Sequence, residues 1–153
     1  MKKIIKNIIE DQNDNNIALT SESSKPLLYK DLKSLVSKIA SQLAGNGILN
    51  KDRAAIVLPN GPFMASSFLS ISSYMSAAPL NPSYKTDEYE FYLKDLNPKI
   101  VIVEPNSNNK VVEVAKNLNI PVCEMKIKKD DPSGLFNLFD IESKYQLPEE
   151  NDE

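Results

Sequence analysis

The chain has no histidine, a single cysteine and only four glycines among 153 residues, and each shortage removes a class of chemistry. Without histidine there is no serine–histidine triad, no imidazole general base and no usual zinc site. Cys123 alone cannot make an internal disulfide or a cysteine-held metal site. Its apolar neighbours mark it as a small core residue, and a reducing, cytoplasmic setting is the expectation. None of the glycines, Gly45, Gly47, Gly61 and Gly134, sits in a glycine-rich phosphate-binding run. A one-signed charge excess is missing as well: 18 basic and 21 acidic side chains are spread along the chain, which speaks against nucleic acid as the main partner, since that would want a basic face. The acidic cluster Glu149, Glu150, Asp152 and Glu153 reads as a solvated tail.

Membrane and export signals are absent too. Met1 to Glu10 holds lysines and isoleucines but no apolar run of signal-peptide length. Ala54 to Tyr84 carries no charge, yet Pro59, Asn60, Gly61, Pro62, Pro79, Asn81 and Pro82 interrupt it, and six serines lie between Ser66 and Ser76. A membrane span needs about 20 predominantly apolar residues in a row; this stretch predicts a buried strand, turn and helix.

What is present is a globular composition, 41% apolar and 25% charged, in a length suited to one domain or part of a larger one. Ile4, Ile5, Ile8 and Ile9 predict a short amphipathic helix, and Asp11 to Asn16 a loop. Ile17 to Thr20 and Leu27 to Tyr29 predict a hairpin around Ser21 to Pro26. From Asp31, the apolar positions Leu32, Leu35, Val36, Ile39, Ala40 and Leu43 fall on one helical face, which Gly45, Asn46 and Gly47 would end. Arg53 to Leu58 predicts a strand. In the helix that follows, Met64, Phe68, Ile71 and Met75 read as the heavy stripe, with Ser66, Ser70 and Ser73 on another line.

The alternation then repeats. Ala77 to Leu80 is a short apolar piece, and Thr86 to Leu96 a helix with Tyr89, Tyr92, Leu93 and Leu96 on one face and Thr86 as its N-cap. Ile100 to Val103 is a fully apolar strand of the kind covered on both sides. Val111, Val112, Ala115 and Leu118 mark another helix, and Pro121 to Met125 another strand. The apolar residues of Gly134 to Ile141 need a partner surface. Strands alternating with helices imply an α/β fold with a mostly parallel sheet.

Three stretches in this order resemble the AMP-dependent synthetases and ligases, the acyl-CoA synthetases and their adenylate-forming relatives. Leu28-Tyr29-Lys30-Asp31-Leu32 resembles the family's early Leu-Thr-Tyr-x-Glu-Leu signature. Gly47-Ile48, Asp52-Arg53 and the run Ala55 to Pro62 (AIVLPNGP) resemble its Gly-Ile-x-x-Gly-Asp-Arg-Val-Ala-Ile-x-Leu-Pro-Asn-x-Pro. Ala78 to Tyr84 followed by Glu88 resembles its Pro-Leu-Asn-Pro-x-Tyr-x-x-x-Glu. Leu28 stands where threonine or serine is usual, Lys51 departs from the usual glycine, and the helix before Ala77 ends in Met75 and Ser76 rather than the common Ala-Gly. Tyr89 to Lys99 (YEFYLKDLNPK) looks most like the small-acid branch that includes oxalate–CoA ligases.

The resemblance implies part of an N-terminal subdomain of the adenylate-forming ligase fold, a mostly parallel sheet flanked by helices and preceded by a short hairpin. The divisions it implies are 1–16 (helix and loop), 17–145 (partial AMP-binding domain) and 146–153 (acidic tail or cut connection). The full-length enzyme is expected to use a small or fatty carboxylic acid, ATP, Mg²⁺ and CoA, and a homodimer stays open. The family's Ser/Thr/Gly-rich loop, its acyl pocket and its C-terminal catalytic lysine are expected after Glu153. The chain therefore carries no catalytic, cofactor-binding or metal residue by this resemblance, and alone it binds no cofactor.

Residues that tempt a functional reading have plainer ones. Asp52 and Arg53 suit a turn before a buried strand; Asn60 and Gly61 suit a tight turn, or the rim of a site at a strand's carboxyl end. Asn81, Pro82 and Tyr84 suit a loop with an anchoring aromatic. Asp87, Glu88 and Glu90 suit a helix entry better than a metal site. Two readings of the whole remain: an N-terminal ligase fragment, scaffold only, or a complete non-catalytic binding or regulatory module with a packed C-terminal stretch and covered sheet edges.

Overall fold

A computed structural model describes residues 4–139; the readings for Asp140, Ile141 and the acidic tail lie outside the described residues. The chain begins with α1 (Ile5–Glu10), whose Ile9 is buried, and a hairpin of β1 (Ile17–Ser21) and β2 (Ser24–Leu28). The hairpin turn is tighter than the sequence suggests. Only Glu22 and Ser23 lie between the strands, and Pro26 sits inside β2, tolerated because a two-stranded ribbon consists of edges. Tyr29 opens a helix instead of closing the strand.

That helix, α2 (Tyr29–Gly45), buries Leu32, Leu35, Val36, Ile39, Ala40 and Leu43, the predicted face, together with Gln42. Its first amides are satisfied by the loop before the hairpin: Tyr29 N–H donates to the Asn16 carbonyl and Lys30 N–H to that of Asp14. Its end is a Schellman turn. Gly47, at φ +77°, lets Ile48 N–H reach back to the Leu43 carbonyl and Gly47 N–H to that of Ala44, and Ile48 is buried behind it.

The sheet follows as β3 (Arg53–Val57), α3 (Pro62–Ser72), β4 (Ser76–Pro79), α4 (Thr86–Leu96), β5 (Ile100–Val103), α5 (Lys110–Asn117) and β6 (Val122–Glu124). Its order is β4-β3-β5-β6 and every pairing is parallel, with Ala54 opposite Ile100 and Val101 opposite Val122. Residue alternation splits β3 and β5 between two cores. Ala54, Ile56, Leu58, Ile100 and Ile102 face α1, α2, α3 and the hairpin, whereas Ala55, Val57, Val101 and Val103 face α4 and α5. A run such as IVIV is wholly apolar for this reason.

Between the heavy stripe and the serine line of α3, the structure buries most of the serine line and only part of the heavy stripe, Ile71 and Met75. Ser66, Ser67, Ser70 and Ile71 are buried, while Phe68 is 37% exposed and Met64 only half-buried. The small face turns inward because main chain packs against it. Ser66 Oγ donates to the Gly134 carbonyl at 2.7 Å, and a Cβ on Gly134 would stand 2.8 Å from the Pro62 carbonyl oxygen. At α4 the cap shifts by one residue: Lys85 precedes the helix and its N–H donates to Glu88 Oε2 at 2.8 Å. Asn97 ends α4 in the left-handed region at φ +45°.

Leu135 to Phe139 has found its partner surface. Phe136 and Leu138 are buried in the α2-side core, and Asn137 pairs antiparallel with Lys126 just past β6. No helix among the described residues is long and apolar enough to cross a membrane.

Candidate functional site

A parallel sheet directs all its strand-to-helix turns to one edge, and a crevice opens there where neighbouring strands send their chains to opposite faces. In this sheet β3 leads into α3 on one face, while β4 and β5 lead into α4 and α5 on the other. The rim at β3 is therefore the candidate site. It is built from 58–62 after β3, 80–85 after β4 and 104–109 after β5.

Of the residues singled out by sequence, Asn60 and Gly61 lie on this rim, exposed, with Gly61 at φ +153°, a conformation that favours glycine, at the start of α3. Asn81 and Pro82 lie beside them in the next loop. Asn81 Oδ1 accepts from Ser83 N–H at 2.9 Å, a side-chain-closed turn, and its carbonyl accepts from Tyr89 OH at 2.8 Å. The Pro82 carbonyl accepts from Asn109 Nδ2 at 2.8 Å.

Asn109 was not singled out by sequence, and it stitches the rim together. Its Oδ1 accepts from Val111 N–H at 2.9 Å and so caps α5, while its amide NH₂ holds the loop after β4. The readable signal was an Asn directly before the helical run Lys110–Asn117. A further link joins β6 to the rim, since Glu124 Oε2 accepts from Asn106 N–H at 3.3 Å.

Tyr84 stacks on Tyr92 with ring centres 5.0 Å apart and meets Tyr89 edge-on at 5.7 Å. The hydrogen bond with Tyr92 pushes the Tyr84 phenol above its ordinary range, with burial adding to the effect. Tyr89 is raised mainly by burial. Both stay neutral, in keeping with an anchoring role.

The charged candidates are not brought to the rim. Asp52 and Arg53 stand at the opposite, amino end of β3: Asp52 Oδ2 accepts from Leu49 N–H at 2.8 Å, and Arg53 donates to the Leu96 carbonyl at the end of α4. Glu88 is engaged with Lys85 N–H, and Glu90 pairs with Lys94 at 2.6 Å. Among the described residues no three His, Cys, Asp or Glu are placed to hold a metal ion. The rim thus offers main-chain groups, the amides of Asn60, Asn81 and Asn109, the hydroxyls of Ser83, Tyr84 and Ser107 and the charges of Lys85 and Glu104, which can shape and support a site, and no nucleophile with an activating partner is described on it.

Comparison with known proteins agrees in sequence and in fold. The family model of AMP-binding enzymes matches residues 8–152. The chain is 33% identical over 105 residues to an oxalate–CoA ligase of Arabidopsis thaliana, an alignment covering 67% of this chain and 20% of the relative. It is 34% identical over 95 residues to the probable CoA ligase CCL9 of Humulus lupulus, covering 61% and 18%. Among solved structures, apo MatB from Rhodopseudomonas palustris superposes with a TM-score of 0.70 at 20% identity, covering 88% of this chain and 26% of that one. The anthranilate CoA ligase AuaEII gives 0.70 at 18% identity, covering 80% and 25%. The chain spans about a fifth of the length of the curated relatives it matches.

Proposed function

The chain belongs to the AMP-binding enzyme family, and from that premise we propose that residues 1–153 are the N-terminal scaffold of an ATP-dependent acid–CoA ligase and do not activate a carboxylate by themselves. In the reaction proposed for the whole enzyme, a carboxylate oxygen attacks the α-phosphorus of ATP and pyrophosphate leaves. The thiol of CoA then attacks the acyl carbon of the adenylate, and AMP leaves with the bonding pair. The first step builds charge on phosphorus that must be met by positioned backbone amides, a cation and Mg²⁺.

One observation carries this reading: the family match runs over nearly the whole chain, yet the chain spans only about a fifth of its relatives and its four glycines form no phosphate cradle. The residues present do not fit ATP–Mg²⁺ on their own. What they supply is the sheet, its switch-point rim and the aromatic anchor behind it. The similarity to the Arabidopsis oxalate–CoA ligase supports a small dicarboxylic acid as the substrate of the whole enzyme.

A stand-alone binding module would be expected to cover both sheet edges. Leu135 to Phe139 is packed and Asn137 pairs with Lys126 just past β6, features such a module would share, so the scaffold reading rests on the family match and the share of its relatives that the chain spans. The test is carboxylate-dependent exchange of labelled pyrophosphate into ATP by the purified chain, with oxalate, malonate and acetate each supplied in turn. No exchange above the protein-free rate is expected. Clear exchange with any of the three overturns the proposal.

A further inference from the structure

Two Asn-Gly pairs occur in the chain, Asn46-Gly47 and Asn60-Gly61. In such a pair the glycine has no side chain to shield its main-chain nitrogen from the preceding amide. Both pairs are exposed, so access does not separate them, but what holds them does. Asn46 lies in the turn that ends α2. Its N–H donates to the Leu43 carbonyl at 3.1 Å, its Nδ2 to the Gln42 carbonyl at 2.7 Å, and Gly47 N–H to the Ala44 carbonyl at 3.0 Å. Bringing the Gly47 nitrogen onto the Asn46 side chain gives up the last two of these bonds. At the other pair, among the described residues, no hydrogen bond engages the Asn60 side chain or Gly61 N–H. A Cβ on Gly61 would meet no atom within 4 Å, so the space beside it is open. Asn81 and Asn109 on the same rim are not equivalent to Asn60. Asn81 precedes Pro82, whose nitrogen has no hydrogen to lose, and Asn109 is held at both ends of its amide, by Val111 N–H and the Pro82 carbonyl.

We propose that Asn60-Gly61 is a site of spontaneous covalent modification, where the Asn60 amide becomes a carboxylate through a cyclic imide, while Asn46-Gly47 in the same folded chain is protected. The Gly61 nitrogen loses its proton and attacks Asn60 Cγ. The new C–N bond closes a five-membered ring, and the Cγ–Nδ2 bond breaks, with Nδ2 leaving as ammonia and carrying off that proton. Water then opens the ring. Cleavage between the nitrogen and Cγ leaves aspartate at position 60; cleavage between the nitrogen and the main-chain carbonyl carbon leaves isoaspartate, with the chain running through the former side chain. One water is consumed and one ammonia released, and nothing is oxidised or reduced. Either product places a negative charge on the rim segment 58–62, which has no charged side chain of its own. The charge arises just ahead of α3, where the helix dipole favours it.

The test ages the purified full chain in mildly alkaline buffer, folded and in parallel unfolded in urea, and follows each Asn-Gly peptide by digestion and mass spectrometry. Isoaspartate is read independently, as methyl groups transferred from labelled S-adenosylmethionine by a protein isoaspartate methyltransferase. In the folded chain Asn60 should convert faster than Asn46 by about tenfold or more, because Asn46 reacts only through local opening of its turn. In urea the two rates should converge to within about twofold, since neither turn persists there. Asn60→Gln keeps the amide but sets it one carbon too far for a five-membered ring, and should remove most of the methyl acceptance of the folded chain. Asn46→Gln should leave that acceptance unchanged.

Equal rates at the two sites of the folded chain, or faster conversion at Asn46, overturn the proposal. So does conversion of Asn60 that is slower in the folded chain than in urea by about tenfold or more, since the turn after β3 would then be protecting it. Should either variant fold poorly, the ratio of the two peptides in the unaltered chain still decides. The pyrophosphate assay is independent of all these outcomes, so the scaffold reading and the modification site can fail separately.

Discussion

Gln42 is 5% exposed on the inner face of α2, a place where a polar side chain is costly unless every group is matched. Its Oε1 accepts from Leu138 N–H at 2.9 Å and from Phe139 N–H at 3.3 Å, and its Nε2 donates to Asn137 Oδ1 at 3.0 Å. Gln42→Leu keeps the volume and strands these amides, so stability should fall by about 1–3 kcal/mol in urea unfolding. Gly134→Ala meets two obstacles, a left-handed φ of +77° and a Cβ 2.8 Å from the Pro62 carbonyl oxygen. A loss of about 1–3 kcal/mol or more is expected by the same measurement. Burial pushes the Cys123 thiol up from 9.0 to about 11. The unfolded thiol ionises first, so its contribution is unaffected below pH 9 and declines as pH rises from 9 toward 11, read from urea midpoints across that range; the decline should be smaller in Cys123→Ala, where only the raised Tyr84 and Tyr89 phenols still add to it.

At the scale of elements, legibility followed periodicity and failed where periodicity was not the deciding force. The α2 face, the α4 bounds and the IVIV strand could be read because a repeating apolar pattern matched a burial pattern. The orientation of α3 could not, because both of its stripes are uncharged and the choice is made by Gly134 and Pro62, whose contact joins positions 72 residues apart (134 − 62). Serine on a helix says that close approach is allowed, not what approaches. Ser70→Leu should therefore overpack the inner face and cost about 1–3 kcal/mol, while Phe68→Ser should stay within about 0.5 kcal/mol, compared by thermal and urea unfolding. On the rim, Asn60, Asn81 and Pro82 were legible as turn formers. The role of Asn109 was not, since its second hydrogen bond reaches a loop 27 residues away.

Over the whole molecule, one thin sheet serves two cores: Ile102 points into one and Val101 into the other from adjacent positions. Damage to either face should thus loosen both. Ile102→Ala and Leu93→Ala, on opposite sides, should each cost about 2–5 kcal/mol and move a single transition. Coincidence of far-ultraviolet circular dichroism with tyrosine fluorescence checks this, and two separated transitions would count against it. The order β4-β3-β5-β6 also bears on how the chain comes to be folded as it leaves the ribosome. Within this sheet the first strand synthesised, β3, is one of the two inner strands, and each later strand joins an edge that already exists. None has to be threaded between two that have already paired, so vectorial synthesis and assembly proceed in the same direction.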